Sequence, residues 1–458
     1  MNAVCSNASK YRSLFGSGKG HGYGREFGIA SMSSKSFNNT NKCAAFSNEL
    51  FAFSKAGKFH SKKLTLKTHT KMTSAIITEK NTTARIVVDQ DVDTESKLLT
   101  SGLGLKRALN DSAHSVPVID FSNWDVLDYS DDDVLDAKLY DAASNVGFFA
   151  LVNAPFVNKE DIDRQFEFSE KFFARARAVK EQESPYNAKL NSGYEYKLQV
   201  RPSTQLKDEK ESFQVTAKES SMETRWPKDM GPDFEANTRE FMGKSLELAK
   251  MVIARLQRER RRRRRAQGGE EEEEEEEDIA SKHSLWVENE SQCTLRMIHY
   301  PPFDSVEEAE DQAKMGYMRA GAHTDWCNVT LLYQRTEFGN GGLECAANPR
   351  RDGFENTEWA QIDHTNPGAI TVNIGDMLSR WTNGDLLSNL HRVRMPEGEE
   401  ALKSRHSMAF FAQADESAVI RAYPGQESLT AKEYILGRIR SNYGGTTDKA
   451  VMAAAAAV

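Results

Sequence analysis

The stretch Gly321-Ala322-His323-Thr324-Asp325-Trp326 constrains the fold more than any other part of this 458-residue chain. His323 and Asp325 are two positions apart, and in an extended segment such residues point to one face. An imidazole and a carboxylate can then converge on one point. A third donor is available at His391, in Asn389-Leu390-His391-Arg392-Val393, 66 residues beyond Asp325. No local structure bridges that interval, so strands distant in sequence have to pair. A His-x-Asp pair carries little weight by itself in a chain with ten histidines. Its neighbours add the weight. Arg405 and Ser407 follow His391 at a short interval and share a strand face by the same spacing rule, and Tyr300 ends an earlier apolar run.

Two histidines and one carboxylate on one side of a metal, with the other positions open, is the donor set of non-haem Fe(II) sites that activate oxygen. Arg405 is planar and permanently charged, which suits a carboxylate gripped by two parallel hydrogen bonds. Ser407 and Tyr300 can add hydroxyl donors.

Six motifs stand in order: Tyr300-Pro301-Pro302, His323-Thr324-Asp325, Asn373-Ile374-Gly375-Asp376, Thr382-Asn383-Gly384, His391-Arg392-Val393 and Arg405-His406-Ser407. With this order and spacing the chain resembles the 2-oxoglutarate- and Fe(II)-dependent dioxygenases of the isopenicillin N synthase-like family, from about Val116 to about Gln413. The resemblance implies an iron site of His323, Asp325 and His391. It also implies a 2-oxoglutarate site of Arg405, Ser407 and Tyr300, with ascorbate as an optional accessory. The implied reaction consumes O2 and 2-oxoglutarate, releases succinate and CO2, and hydroxylates or desaturates a small organic metabolite, as in secondary metabolism. Two alternatives stay open: an Fe(II) oxidase of the same family that needs no keto acid, and a non-catalytic binding protein on the same fold. The chain departs from the family twice. Its usual Asn-His-Gly turn is Asn153-Ala154-Pro155 here, and the Asn of its Asn-x-Tyr pattern is replaced in Ile298-His299-Tyr300.

The expected fold is α+β and mainly β: a double-stranded β-helix (a jelly roll, cupin-like) flanked by helices. From about Leu285 the hydrophobic period changes from helical to alternating. Short strands are expected at 293–300, 327–333, 342–346, 369–374, 391–395 and 406–413, between Gly, Pro and Asn turns. Upstream, a strand at Val116–Phe121 precedes a helix over 131–146, a buried strand at 148–152, and helices over 161–176 and 233–258. Asn191–Tyr194 is expected as a loop before a strand near 210–213, and a helix closes the chain at 430–443. His299 and His406, each one residue from an inward group, are expected to point away from the site. Asn373 and Asp376 are read either as supports of the metal ligands or as turn residues. Trp326, Asn328 and Trp381 are candidate pocket residues.

The organisation expected is a leader over 1–110, a helix-rich region over 115–257, a charged insertion over 258–283, the jelly roll over 284–420, and a helix and tail over 421–458. Residues 1 to about 75 hold twelve Lys and Arg against only Glu26 and Glu49. That composition fits either a disordered tail or a plastid or mitochondrial transit peptide; without import the enzyme would be cytoplasmic. Six arginines at 260–265, Gly268-Gly269 and eight glutamates at 270–277 read as a solvated surface insertion. The net charge of −8 argues against a nucleic-acid partner. Five cysteines without a Cys-x-x-Cys fit a reducing compartment, and Cys327 is read as a small buried hydrophobe. No apolar run reaches the ~18–20 residues of a membrane span. A monomer is expected.

Overall fold

The computed structural model describes residues 108–109, 116–122, 133–187, 189–200, 206–267, 277–335, 341–347, 358–362, 368–420 and 428–443. The basic leader, most of the glutamate run and the last fifteen residues lie outside the described residues.

Five strands come first: β1 (Ala108–Leu109), β2 (Val118–Asp120), β3 (Phe148–Val152), β4 (Gly193–Tyr196) and β5 (Glu211–Thr216). Then follow β6 (Thr294–Tyr300), β7 (Ala320–His323), β8 (Val329–Gln334), β9 (Leu343–Ala346), β10 (Trp359–Gln361), β11 (Ile370–Ile374), β12 (His391–Val393) and β13 (Arg405–Ala412). From β6 to β13 the chain changes sheets at every step except β9 to β10. The larger sheet contains β11-β8-β13-β6 in that spatial order and the smaller contains β10-β9-β12-β7. This is the jelly-roll order. The larger sheet is widened by β2-β3 at one edge and β5-β4 at the other, and the sheets do not close into a barrel.

The larger sheet has two chemically different faces, because residues opposite one another in an antiparallel pair share a face. Phe213, Met297, Met408 and Tyr333 stand in one row; Val215, Leu295, Phe410, Leu331 and Val372 stand in the next. All are buried. They pack on helices α2 (Lys159–Phe173) and α3 (Pro232–Ala266). Phe172 stacks on Phe213 at 4.3 Å, and Tyr333 meets Phe241 and hydrogen-bonds Ser245. The opposite, inner rows are polar: Asn373, Thr330, Phe411, Thr294 and Thr216; then Thr371, Leu332, Ala409, Arg296 and Gln214; then Gln334, Ser407, Ile298 and Ser212.

Each helix follows from local sequence. In α2, Asn158 caps the first turn and Asp161 returns the bond, a reciprocal capping box. Helix α1 (Asp133–Asn145) buries Leu135, Leu139, Ala142 and Ala143, and Gly147 follows with φ +73°. Short helices that were not expected include Arg177–Glu183, Glu219–Met222, α4 (Val306–Lys314) and α5 (Asp376–Trp381); α6 (Ala431–Tyr443) closes the described chain. Strands β7 and β10 were also missed, and Gly193 and Tyr194, the end of the expected loop at Asn191–Tyr194, open strand β4. These segments are too short for periodicity to reveal.

The long helix ends later than expected. Helix α3 does not stop near Arg258 but runs through the arginine run to Ala266. Arginine is a good helix former, and cations suit a helix C-terminus. The mutual repulsion of the arginines is offset by carboxylates from outside the run. Asp136 of α1 accepts from Arg255 at 2.7 Å and from Arg258. Arg263 pairs with Asp141 and Arg262 with Asp133. Arg260, 4% exposed, binds Asp385 at 2.6 Å and the Thr382 carbonyl at 3.0 Å. Asp136 is fully buried and Arg255 nearly so, so losing the carboxylate strands a buried cation. Asp136→Ala should therefore lower unfolding free energy by about 3–5 kcal/mol in urea titrations, whereas Arg264→Ala, at an exposed site on the same helix, should change it by less than about 0.5 kcal/mol.

Candidate metal centre

Strands β7 and β12 are neighbours in the smaller sheet, and His323 stands opposite His391. The two rings lie 4.3 Å apart between centroids. Each is fixed by its own strand: His323 Nδ1 bonds the Gly321 carbonyl at 2.7 Å, and His391 Nδ1 the Asn389 carbonyl at 3.3 Å. A carbonyl only accepts, so each Nδ1 carries the proton and each Nε2 presents a lone pair. Phe148 packs edge-on against His391 at 5.3 Å.

Asp325 arrives differently from the sequence expectation. Strand β7 ends at His323, so the convergence does not come from alternation along one strand. The loop after β7 makes it. Asp325 Oδ1 lies 3.8 Å from His323 Nε2 and 3.7 Å from His391 Nε2. Its Oδ2 accepts from Thr330 Oγ1 at 2.6 Å and Asn373 Nδ2 at 2.8 Å. One carboxylate oxygen is thus held by the larger sheet while the other faces the histidines. The loop backbone docks on the segment leading into α5: Asp376 N donates to the Asp325 carbonyl, Gly375 N to Asn328 and Met377 N to Cys327. A Cβ on Gly375 would lie 2.1 Å from the Cys327 carbonyl oxygen, so only glycine fits there. Asp376 accepts from Thr324, Ser388 and Arg438, and the carbonyls of Gly321 and Asn389 bond the imidazole Nδ1 atoms. Asn373 is the residue of that motif that holds the Asp325 carboxylate.

The donor atoms of His323, Asp325 and His391 all lie within 4.8 Å of one another, a set that can hold one divalent ion with one side open. Arg405 and Ser407 belong to the inner face of β13, on which Phe411 stands opposite Thr330, the residue holding Asp325. The guanidinium of Arg405 lies over the Tyr300 ring at 4.6 Å and donates Nη2 to Gln334 Oε1 at 2.5 Å. Its Nη1 is buried without a partner, as a donor awaiting an anion would be. All three expected 2-oxoglutarate residues therefore lie on one face.

Sequence reasoning missed two residues here. Gly341 has φ +57°, and a Cβ on it would meet Arg405 Nε at 2.7 Å, so its backbone passes close over the guanidinium; the Gly341-Gly342 pair was the available signal. Buried Arg319 donates to the Pro301 and Glu209 carbonyls, and its burial pulls its pKa down to about 10. Nothing in its sequence context marked it.

His299 and His406 lie on the outer face, as expected, stacked at 4.4 Å, with His299 bonded to Glu211 and Ser404. Burial pulls the His406 pKa down to about 3. Two candidate pocket residues are structural instead: Asn328 bonds His283, and Trp381 is core. Cys327 is buried, its thiol pushed well above its ordinary pKa by burial.

Residues 291–414 match the 2OG-Fe(II) oxygenase superfamily, and residues 116–234 match the N-terminal region described for non-haem dioxygenase in morphine synthesis. The chain belongs to the 2OG-Fe(II) oxygenase superfamily. It is 29% identical over 341 residues to the UPF0676 protein C1494.01 of Schizosaccharomyces pombe, covering 72% of this chain and 93% of that one. It is 26% identical to the 2-oxoglutarate-dependent dioxygenase htyE of Aspergillus rugulosus, covering 72% and 100%. A full-length Neurospora crassa protein crystallised with alpha-KG and thymine is 25% identical with a TM-score of 0.56, covering 74% and 100%. Superfamily membership gives the chain its class, a 2-oxoglutarate-dependent dioxygenase, and its cofactors, Fe(II) and 2-oxoglutarate. The residues present fit both groups, by the two Nε2 lone pairs facing Asp325 for the ion and by Arg405 Nη1, without a partner among the described residues, for the acid. Because Asn373 holds the iron-side carboxylate in place, Asn373→Ala should weaken Fe(II) binding roughly 10- to 100-fold, read by anaerobic competition with a chromogenic chelator, while leaving the fold intact by circular dichroism.

Proposed function

We propose that this dioxygenase hydroxylates or desaturates a small organic metabolite, with His323, Asp325 and His391 holding Fe(II) and Arg405, Ser407 and Tyr300 holding 2-oxoglutarate. The observation that carries the reading is the shared inner face. The sheet that fixes Asp325 through Thr330 and Asn373 also presents Arg405, with its unpartnered buried Nη1. Bound iron supplies oxygen activation coupled to decarboxylation of the keto acid. The chain's own residues orient and shield. The two carbonyl-bonded imidazoles and the clasped carboxylate hold the donors before the ion arrives, so little reorganisation is needed on binding. Arg405 offers a charge-assisted bond to the far carboxylate of the keto acid, and the Tyr300 ring, 4.6 Å from the guanidinium carbon, packs against it. The polar inner rows leave a face on which a small polar substrate can lie.

The relatives named as 2-oxoglutarate-dependent dioxygenases support this reading. The test is succinate release from the full-length protein, loaded with Fe(II) and 2-oxoglutarate and offered a metabolite library. The wild-type chain should release succinate above the substrate-free rate with at least one library member, and His391→Ala should release none. Product formation without succinate would replace this reading with a keto-acid-independent oxidase. Undiminished turnover by His391→Ala would remove the metal assignment.

A further inference from the structure

Arg296 stands on the inner face of β6, opposite Ala409 of β13 and Gln214 of β5. Its Nε donates to Gln214 Oε1 at 2.6 Å, and Gln214 Nε2 in turn donates to the Asn191 carbonyl at 2.7 Å. That relay fixes the guanidinium, whose carbon lies 5.4 Å from the centre of the Phe411 ring. Among the described residues, no carboxylate lies within ion-pair distance of it. Buried Arg255, Arg260, Arg392 and Arg438 each have one, in Asp136, Asp385, Glu344 and Asp376, while buried Arg225 and Arg319 are satisfied by pairs of main-chain carbonyls. Glu195, the carboxylate on the same face, bonds Ser212 and Gln199. A half-buried cation held in place but left without a counter-ion is costly unless a ligand supplies one.

Its position says which ligand. Arg405 lies four residues from Ala409 along β13, about 13 Å at strand rise, and on the neighbouring strand; the keto-acid clamp and Arg296 are therefore separate. Phe411, beneath Arg296, is the cross-strand neighbour of Thr330, which holds Asp325. A molecule bonded to Arg296 and lying over Phe411 would point its other end toward the metal donors. We propose that Arg296 selects the primary substrate by taking its carboxylate, so that this enzyme acts on an organic acid. The inference rests on the dioxygenase reading above. Ala409, the residue opposite Arg296 on β13, carries only a methyl group, and Gln214 serves as the positioning residue.

The test compares matched pairs, aryl- and alkyl-carboxylic acids and their primary amides, on the Fe(II)- and 2-oxoglutarate-loaded enzyme. Anaerobic calorimetry reads binding and succinate release reads turnover. Wild type should favour acids over the matching amides by at least about tenfold in binding and in kcat/KM, the size of one lost charge-assisted bond. Arg296→Gln should erase that preference, mainly through the KM for acids, with the KM for 2-oxoglutarate unmoved. Arg296→Lys keeps the charge and should retain a weakened preference; it guards against a Gln variant that misfolds. Equal affinity of wild type for acids and amides, or an acid preference that survives Arg296→Gln, overturns the proposal. Acid-selective binding without succinate release would instead defeat the dioxygenase reading and leave the role of Arg296 standing.

Discussion

The site depends on one carboxylate being held from two directions. Asp325 lies beyond the end of its strand, where a chain is ordinarily free to wander. Its Oδ2 is gripped by side chains from two strands of the larger sheet, and its main chain is bonded to the turn that opens α5. The smaller sheet supplies both imidazoles from paired strands. The donors therefore meet at the junction of the two sheets, and neither sheet makes the site alone. A jelly roll suits this, since its alternation between sheets pairs strands that are far apart in sequence.

The same sheet also carries out a division of labour by face. Its outer face is apolar except for the His299, His406 and Glu211 cluster at one end, and it anchors α2 and α3, so the rigid body of the fold stands behind the site. Its inner face holds threonines, amides and two arginines that would be expensive to bury in a core. Strand alternation makes both faces from the same residues, as in Thr294-Leu295-Arg296-Met297-Ile298-His299-Tyr300. Stability and recognition are thus written on alternate positions of one strand. At the far end of α3 the arginines fasten the helix to α1 and to the loop before β12, which extends that rigid backing.

Much of this was legible in the chain. The shared face of Arg405 and Ser407 and the outward turn of His299 and His406 follow from the strand period of two, whereas Asp325 reaches the imidazoles from a loop that the same period does not describe. What was not legible depended on partners distant in sequence. The arginine run reads as a solvated insertion until the carboxylates of α1 are placed beside it. Asn373 and Asp376 cannot be told apart in sequence, yet one supports Asp325 and the other ties down Thr324 and Arg438. Gly341 and Gly375 are needed for close approach, which only the folded backbone reveals. Arg296 looked like any half-exposed strand residue; that it has no carboxylate partner among the described residues appears only when its neighbours across three strands are known.

The central claim is that Asp325, His323 and His391 hold one ferrous ion beside a keto-acid clamp at Arg405. Anaerobic titration of the full-length protein with Fe(II) and then 2-oxoglutarate tests it most directly, through the weak visible charge-transfer band of the ternary complex. The expected result is one ion bound per chain, a band that needs both components, its loss in Asp325→Ala, and a much higher 2-oxoglutarate requirement in Arg405→Gln. A band that survives Asp325→Ala, or a keto-acid requirement indifferent to Arg405, would contradict the claim.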